Sequence, residues 1–340
     1  MTEGVGLVAV NTRFKSRPVT GVERVAQELL TRLPSFLDSP VVELAPRRGA
    51  DGMRGHLWEQ VVLPVRFRSS HAAVLVSLCN FGPLSVSPQV VLLHDVAPFL
   101  VPDSFGARYA ALAKTLQMRL ARRATLATVS EQSRRDIASV LGLSPDSIAI
   151  VPPAAAAPFR RDDAGPDGTN CLFVGGHDTR KNLPFLLELW PLVHRRTGAW
   201  LDVVARSRSK TLRSGQSGTS EGIVWHWDID DATLAGLYRK AKLIVSPSRY
   251  EGFGLPLLEA MSCGTPFLST SVGAAPELAV DPDQQLLPLS REQWVDRLVQ
   301  MLTRDMSDLR RASHAKAAEW TWERSTQQLA AAVVRASAAR

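Results

Sequence analysis

The sequence predicts an α/β protein built from two Rossmann-like, doubly wound domains, and three observations carry that prediction. Short apolar runs alternate with helix-spaced segments along the whole chain, the pattern of parallel strands joined by crossover helices. The 340 residues exceed what one hydrophobic core ordinarily serves, and suit two domains of roughly 150 residues each. Between the two sets lies PPAAAAPFRRDDAGPDGT, Pro152 to Thr169, whose Pro, Ala and Gly content reads as a semi-stiff connector crossed by few contacts. The expected division is residues 1–152, a linker at 153–169, a second domain at 170–319 and a last helix at 320–340.

In order, Val5 to Asn11 is a continuous apolar strand, followed by the loop NTRFKSRPVTGVERV. Thr20 is placed to cap the helix that begins near Gly21, with Glu23 in its first turn and Val22, Val25, Ala26, Leu29 and Leu30 at helical spacing. Val41 to Leu44 is a second strand, and Arg47 to Gly55 reads as a polar loop, an acceptor-side flap. His56 to Phe67 reads as a helix, Ala73 to Leu78 and Val90 to His94 as buried strands, and Phe105 to Ala124 as a long basic amphipathic helix. Leu126 to Ser130 is another strand, then a helix runs from Glu131 to Gly142, capped by Ser130 and closed by glycine. Ile148 to Val151 ends the first set.

The second set opens with the strand Asn170 to Val174, the loop GGHDTRKN and a helix from Leu183 to about Thr197. Strands follow at Trp200 to Ala205, Gly222 to Trp227, the run ending at Val245, Pro266 to Ser269 and Gln285 to Leu289. A turn with Gly273 leads to a helix start at Ala275-Pro276-Glu277, and WTWERSTQQLAAAVVRAS forms the last helix. Asp228-Ile229-Asp230 directly precedes the amphipathic DATLAGLYRKAK, so capping by Asp230 or Asp231 is expected rather than metal binding.

Composition limits the function classes. Hydrophobic content of 45% with 21% charge is globular. No apolar run approaches the length of a membrane span and no secretory leader is recognisable. Cys79, Cys171 and Cys263 lack metal spacing, and their odd number suits a reducing cytoplasm, which is the expected location. Residues 1–150 hold 17 Lys and Arg against 12 Asp and Glu, with basic clusters at Arg47-Arg48-Arg54, Arg66-Arg68 and Lys114-Arg119-Arg122-Arg123. Such an excess suits an anionic neighbour, and peripheral contact with an anionic membrane at its inner face is one expectation; a solvated arginine-rich face is the other reading. Nucleic acid is not expected as a partner, because no recognition motif and no interleaved surface aromatics accompany the basic residues.

The stretch that carries chemistry is SPSRYEGFGLPLLEAMSCG, Ser246 to Gly264. It reads as strand, loop and helix. Gly252 and Gly254 free the backbone, Pro256 suits a first helical turn, and the unpaired N–H groups near Leu255 point back into the loop as an anion site. Glu251 and Glu259 bracket it. Carboxylates repel phosphate, so their presence needs a ligand that joins phosphate to hydroxyl donors, as a nucleotide sugar does. A second anion site is expected in the loop after Val174, where Gly175 and Gly176 let the backbone approach a ligand. Arg180 and Lys181 at the next helix start oppose the helix dipole unless an anion is bound there.

SRYEGFGLPLLEAMSCGTP, with its Glu-x7-Glu spacing, resembles the signature of family 4 retaining glycosyltransferases of the GT-B fold, in which two Rossmann-like domains face a cleft. The resemblance covers nearly the whole chain and is most specific at residues 246–266. It implies that the second domain holds the donor and the first the acceptor, and that the last helix crosses back onto the first domain. It implies that His94, at a strand end in LLHD, lies close to the donor sugar and acts with Glu251 in catalysis. It further implies that Gly21 approaches the donor, that Arg180 and Lys181 neutralise the leaving diphosphate, and that Gly252, Phe253, Gly254, Leu255 and Glu259 complete the donor site. Within the family the opening NTRF...PVTGVERV is most like bacterial mannosyltransferases of surface polysaccharide synthesis. GDP-mannose is therefore the first expectation for the donor, with dTDP- or UDP-sugars as alternatives, and a glycan, lipid-linked or small-molecule acceptor. A retaining, front-face displacement without metal or other cofactor is expected. The chain departs from the family at ARSRSKTLRSGQSG and at Trp225-His226-Trp227, which surround the expected base pocket. A sugar-nucleotide epimerase of the same fold, an inactive binding partner and a basic nucleic-acid-binding protein are the competing readings; a panel of nucleotide sugars separates them.

Overall fold

A computed structural model describes residues 5–47, 52–162, 168–175, 178–205 and 221–338. Its contacts divide the chain into two compact units, Met1–Pro153 with Thr321–Arg340, and Ala154–Trp320.

The first unit is a parallel sheet of β1 (Val8–Asn11), β2 (Val41–Leu44), β3 (Val74–Ser77), β4 (Gln89–Leu92), β5 (Thr125–Thr128) and β6 (Ala149–Ile150), in the order β2-β1-β3-β4-β5-β6. Every residue of β1, β3 and β4 is buried, which is why these strands read as continuous rather than alternating apolar runs. Helix α1 (Gly21–Arg32) starts in a capping box, the Thr20 N–H donating to Glu23 Oε2 at 3.2 Å. It buries Val25, Ala26, Leu29 and Leu30. The chain continues through α2 (Gly52–Leu57), a π turn over Trp58–Val62 and α3 (Leu63–Ser69), then α4 (Ala97–Leu100), α5 (Ala107–Leu120) and α6 (Glu131–Leu141). Ser130 caps α6 by accepting the Ser133 N–H at 3.0 Å, and Gly142 closes it with φ 68°, both as expected.

The second unit has β7 (Cys171–Val174), β8 (Leu201–Ala205), β9 (Ile223–Trp227), β10 (Leu243–Ser246) and β11 (Phe267–Ser269), parallel, in the order β11-β10-β7-β8-β9. Its helices are α7 (Leu183–Thr197), α8 (Asp231–Lys240), α9 (Leu255–Ser262), α10 (Ala275–Leu278), α11 (Pro282–Gln285), α12 (Arg291–Thr303) and α13 (Ser307–Ala317). The core is centred on α7 and α12 against the sheet: Leu186, Leu189, Trp190 and Val193 meet Trp294 and Leu298, with Phe185 edge-on to Trp294 at 5.5 Å. The last helix, α14 (Trp322–Ala338), packs within the first unit, against α1 and along β3 to β6.

Four expectations are corrected. The stretch 154–162 is packed rather than a free connector: Ala154, Ala156 and Phe159 are buried in the second unit, Phe159 lies edge-on to Tyr238 at 5.7 Å, and Asp162 pairs with Arg239 at 2.8 Å. The flap expected at 47–55 is helical from Gly52, and the helix expected from His56 is the interior of a longer element. Gln285 to Leu289 is not a strand: Gln285 ends α11, its side-chain oxygen accepting the N–H of Val280 at 2.7 Å and of Asp281 at 2.9 Å, and one bridge joins Leu286 to Ser269. The polar tract at 206–220 lies outside the described residues.

The strand orders fix where ligands collect. Both sheets wind outward in two directions from their first strand, and the crevice in such a sheet opens at the carboxyl ends where the winding reverses. In the first unit that place is between β1 and β3, and in the second between β7 and β10.

Candidate active site

At the β7/β10 crevice the two loops predicted to bind anion meet. Lys181 Nζ is 2.5 Å from Glu251 Oε1, and Ser248 Oγ donates to the same oxygen at 2.7 Å. Among the described residues both of these bonds fall on Oε1, and none is made to Oε2. The two loops are stitched together by their backbones: Arg249 N–H donates to the Arg180 carbonyl at 2.7 Å, and Asn182 Nδ2 donates to the Pro247 carbonyl at 3.2 Å. Asn182 itself sits in the left-handed region, φ 55°, between the single turn Thr179–Lys181 and α7. Lys181 thus precedes α7 in a separate turn instead of lying on its first helical residues.

Gly175 makes this approach possible, because a Cβ there would lie 2.8 Å from Lys181 Cγ. Gly176 lies outside the described residues. Arg180 is held away from Glu251 by Asp178, with Nε to Oδ1 at 3.1 Å and a second bond to Oδ2 at 2.7 Å. Partial burial disfavours the charged Asp178 carboxylate, but the Arg180 hydrogen bonds and charge outweigh it, and its pKa lies below the ordinary range.

Helix α9 starts at Gly254, whose φ of 97° turns the backbone from the loop into the helix, with Pro256 in the first turn. Gly252, Phe253 and Gly254 are buried and Leu255 half-buried. The Phe253 side chain is edge-on to Trp320 at 5.3 Å, a packing role, while its carbonyl accepts the Ala274 N–H at 2.8 Å. Glu259 is buried, one turn into α9, and its Oε2 accepts the Tyr238 hydroxyl at 3.0 Å. The two glutamates thus differ in setting: Glu251 is tied to a lysine at the crevice and Glu259 to a tyrosine in the core.

Sequence reasoning missed three contributors. Gly273, with φ 58°, sits so close to the loop that a Cβ would be 2.7 Å from the Phe253 carbonyl oxygen and 2.8 Å from Glu251 Cβ. Ser248 and Tyr238 are the partners of the two glutamates. The Gly273 signal was present, as a glycine before a helix start; the other two arise only from the fold.

The Trp225-His226-Trp227 departure has a structural cause. Trp225 packs on the core around α7 and α12, the two indoles stack with 5.2 Å between centroids, and His226 Nε2 pairs with Asp202 at 2.7 Å. Asp230 caps α8 as expected, accepting the Thr233 N–H at 2.8 Å.

In the first unit His94 follows β4 and is buried. Its Nε2–H donates to the Leu78 carbonyl at 2.9 Å, its N–H donates to Asn80 Oδ1 at 2.6 Å, and its carbonyl accepts from Ser133 Oγ at 3.1 Å. Burial pushes its pKa below the ordinary value, so the ring is neutral and Nδ1 is its acceptor. Gly21 is exposed as the first residue of α1, whose Glu23 acts electrostatically on His94. The β1/β3 crevice holds a denser cluster that the sequence did not reveal: Glu59, on the π turn, accepts from Asn11 Nδ2 at 3.0 Å, lies 3.1 Å from Arg13 NH1 and 3.6 Å from His56 Nδ1, all four residues buried.

Residues 168–304 match the family described as Glycosyl transferases group 1. The chain is similar to O-antigen chain mannosyltransferase B of Escherichia coli, 28% identical across 92% of this chain and 95% of that protein. It is also similar to an MMP alpha-(1->4)-mannosyltransferase of Mycolicibacterium hassiacum, 29% identical across 56% and 47% of the two chains. Among solved structures, sucrose-phosphate synthase from Thermosynechococcus elongatus superposes with a TM-score of 0.77 at 18% identity, covering 98% of this chain and all of that one. HepE of Anabaena, in complex with UDP and glucose, gives a TM-score of 0.70 at 14% identity, covering 96% of this chain and 98% of the other. Two parallel-sheet units with GT-B neighbours along nearly the whole length give the chain the GT-B fold, and the group 1 domain at residues 168–304, around the Lys181–Glu251 crevice, makes it a glycosyltransferase.

Proposed function

We propose that the protein is a retaining mannosyltransferase that moves mannose from GDP-mannose to a glycan or lipid-linked acceptor without a metal. The observation that carries this reading is the Lys181–Glu251 pair at 2.5 Å in the β7/β10 crevice, beside the start of α9. A cation and a helix N-terminus together suit a diphosphate, and a carboxylate between them suits the sugar that the diphosphate carries. The names of the two mannosyltransferase relatives support mannose as the sugar.

The chemistry follows from charge. Breaking the anomeric C–O bond leaves an oxocarbenium-like ring and a nucleoside diphosphate. Lys181, reinforced by Arg180 and the Leu255 end of α9, receives the negative charge that grows on the diphosphate. In the resting pair Lys181 is held by Glu251, so the ammonium is already oriented when the donor arrives. Glu251 accepts from a sugar hydroxyl, Gly252 to Leu255 line the diphosphate, and Glu259 accepts from the ribose. In the first unit His94 is a neutral ring, and its role, like that of Gly21, is carried by the family resemblance alone. In a front-face displacement the leaving phosphate oxygen takes the acceptor's proton, so the protein supplies no general base. Asp230 is committed to capping α8, and the cations at the crevice leave little charge for a divalent ion to neutralise.

The test is a panel of GDP-, UDP- and dTDP-sugars assayed for released nucleoside diphosphate, with the anomer of the product read by NMR. Turnover of GDP-mannose with an α-linked product, undiminished by a chelator, is expected. An epimerised donor, a β-linked product, or loss in chelator that manganese restores would each refute the corresponding part.

A further inference from the structure

The continuous helix from Gly52 to Ser69 has an outer face that none of the described residues covers. Met53, Leu57, Val61 and Val65 are 69%, 64%, 56% and 57% exposed, and Val62 beside them is also exposed. These are large aliphatic side chains in a straight row, four residues apart, with about 18 Å between the first and the last at 1.5 Å per residue. A lone exposed valine is ordinary, but a row of this length is not.

The row is straight because of the π turn. At about 100° per residue, twelve residues of regular α-helix would carry Val65 roughly 120° around the axis from Met53. One extra residue accommodated in the turn Trp58–Val62 removes about 100° of that, so the row drifts by only about 20°. The same turn places Glu59 inward, against Asn11 and Arg13. The helix therefore has an ionic inner face tied to the β1/β3 strand ends and an apolar outer one.

Charge narrows what could cover the outer face. Between residues 52 and 70 the only acidic residue is Glu59, which is buried, whereas Arg54 and Arg68 are exposed near the two ends of the row and Arg47 is exposed just before the helix. Two copies packed antiparallel along this row would bring Arg54 of one against Arg68 of the other, and like charges oppose that arrangement. The row also has no aromatic anchor of the kind that dominates protein interfaces. An aliphatic stripe flanked by arginines alone suits a layer of acyl chains beneath anionic headgroups.

We propose that this helix lies in the surface of an anionic phospholipid bilayer, with Met53, Leu57, Val61 and Val65 among the acyl chains and Arg54 and Arg68 at the headgroup phosphates. The proposal goes beyond the transferase reading and does not rest on it. Docked this way, the helix holds the β1/β3 crevice from one side and lipid from the other, which suits an acceptor carried in the membrane.

The experiment is co-sedimentation of the full chain with vesicles of phosphatidylglycerol and phosphatidylcholine, and with phosphatidylcholine alone, in the absence of any nucleotide sugar. Binding to the anionic vesicles only, weakened by salt, is expected. Leu57→Glu with Val61→Glu lowers the partition coefficient by on the order of 10²-fold or more, with circular dichroism and thermal midpoint unchanged. Arg54→Gln and Arg68→Gln each lower it by about fivefold. Met53→Ser with Val65→Ser, at the two ends of the row, is the second variant if the first fails to fold. No preference for anionic vesicles, or full binding by a folded stripe variant, overturns the proposal. So does a dimer in sedimentation velocity that the stripe variants dissolve, since a second copy would then be what covers the face.

Discussion

Both units place an acid and a base at the point where their sheet winding reverses, yet the two pairs are set for different work. At β1/β3, Glu59 and Arg13 are almost wholly buried, both are hydrogen-bonded to Asn11, and His56 Nδ1 lies 3.6 Å from Glu59. At β7/β10, Lys181 and Glu251 keep 17% and 14% of their side-chain surface in contact with solvent. The first pair can exchange its partners only if the unit opens. The second can release one partner to a ligand. Position in the topology offers a site, but burial decides whether that site binds or braces.

The largest effect that would test this contrast is on stability. Glu59→Ala leaves Arg13 as a buried, unpaired charge, and should destabilise the first unit by about 3–5 kcal/mol, read as a lower midpoint in urea unfolding. A loss under about 1 kcal/mol, the level of an exposed pair, would mean that water reaches the cluster and that it is a binding site after all.

Next is Lys181→Ala. Removal of one donor to developing charge costs about 3 kcal/mol, or on the order of 10²-fold in kcat/KM, while the loss of stability in urea unfolding is smaller than that of Glu59→Ala, because the pair is less buried. Unchanged kinetics would place the diphosphate elsewhere. The outcome that blurs the contrast is a large stability loss, since the pair would then brace the fold as Glu59 does.

The two glutamates sharpen the comparison inside one unit. Glu251→Gln weakens the hold on Lys181 and the acceptor of the sugar hydroxyl, so it should lower kcat more than it raises KM. Glu259→Gln keeps a group that Tyr238 can donate to, and should appear mainly as weaker donor binding by calorimetry. The reverse pattern would invert the two roles.

The smallest effect concerns pH. Burial lowers the pKa of His94 from its ordinary 6.5, so the unfolded chain binds a proton there that the folded chain does not. Stability therefore rises with pH below about neutrality and is lost as pH falls through 6.5 towards the folded value. His94→Asn should flatten that slope between pH 7 and 5, taken as an approximate window around the ordinary histidine value; an unchanged slope would show that folding leaves the proton affinity of His94 unaltered.

What was legible in the chain is what local sequence encodes. Alternating apolar runs and helix starts gave both sheets, because strands covered on two faces must be continuously apolar and because Thr20, Ser130 and Asp230 cap with atoms two or three residues away. The loop and helix around Glu251 and Glu259 were legible for the same reason: a turn, a proline and two acids eight positions apart lie in one short segment. Tertiary structure decided the rest. Lys181 and Glu251 are 70 residues apart and Asn11 and Glu59 are 48 apart, distances at which spacing carries no signal. The packed stretch at 154–162 looked like a linker because alanine and proline are neutral as to burial; its burial depends on Tyr238 and Arg239, which only the fold brings near. The π turn was likewise invisible, since Trp58–Val62 has ordinary helical composition. It forms where the helix must turn Glu59 towards Arg13 while Leu57 and Val61 stay outside, a demand set by both faces of a helix at once.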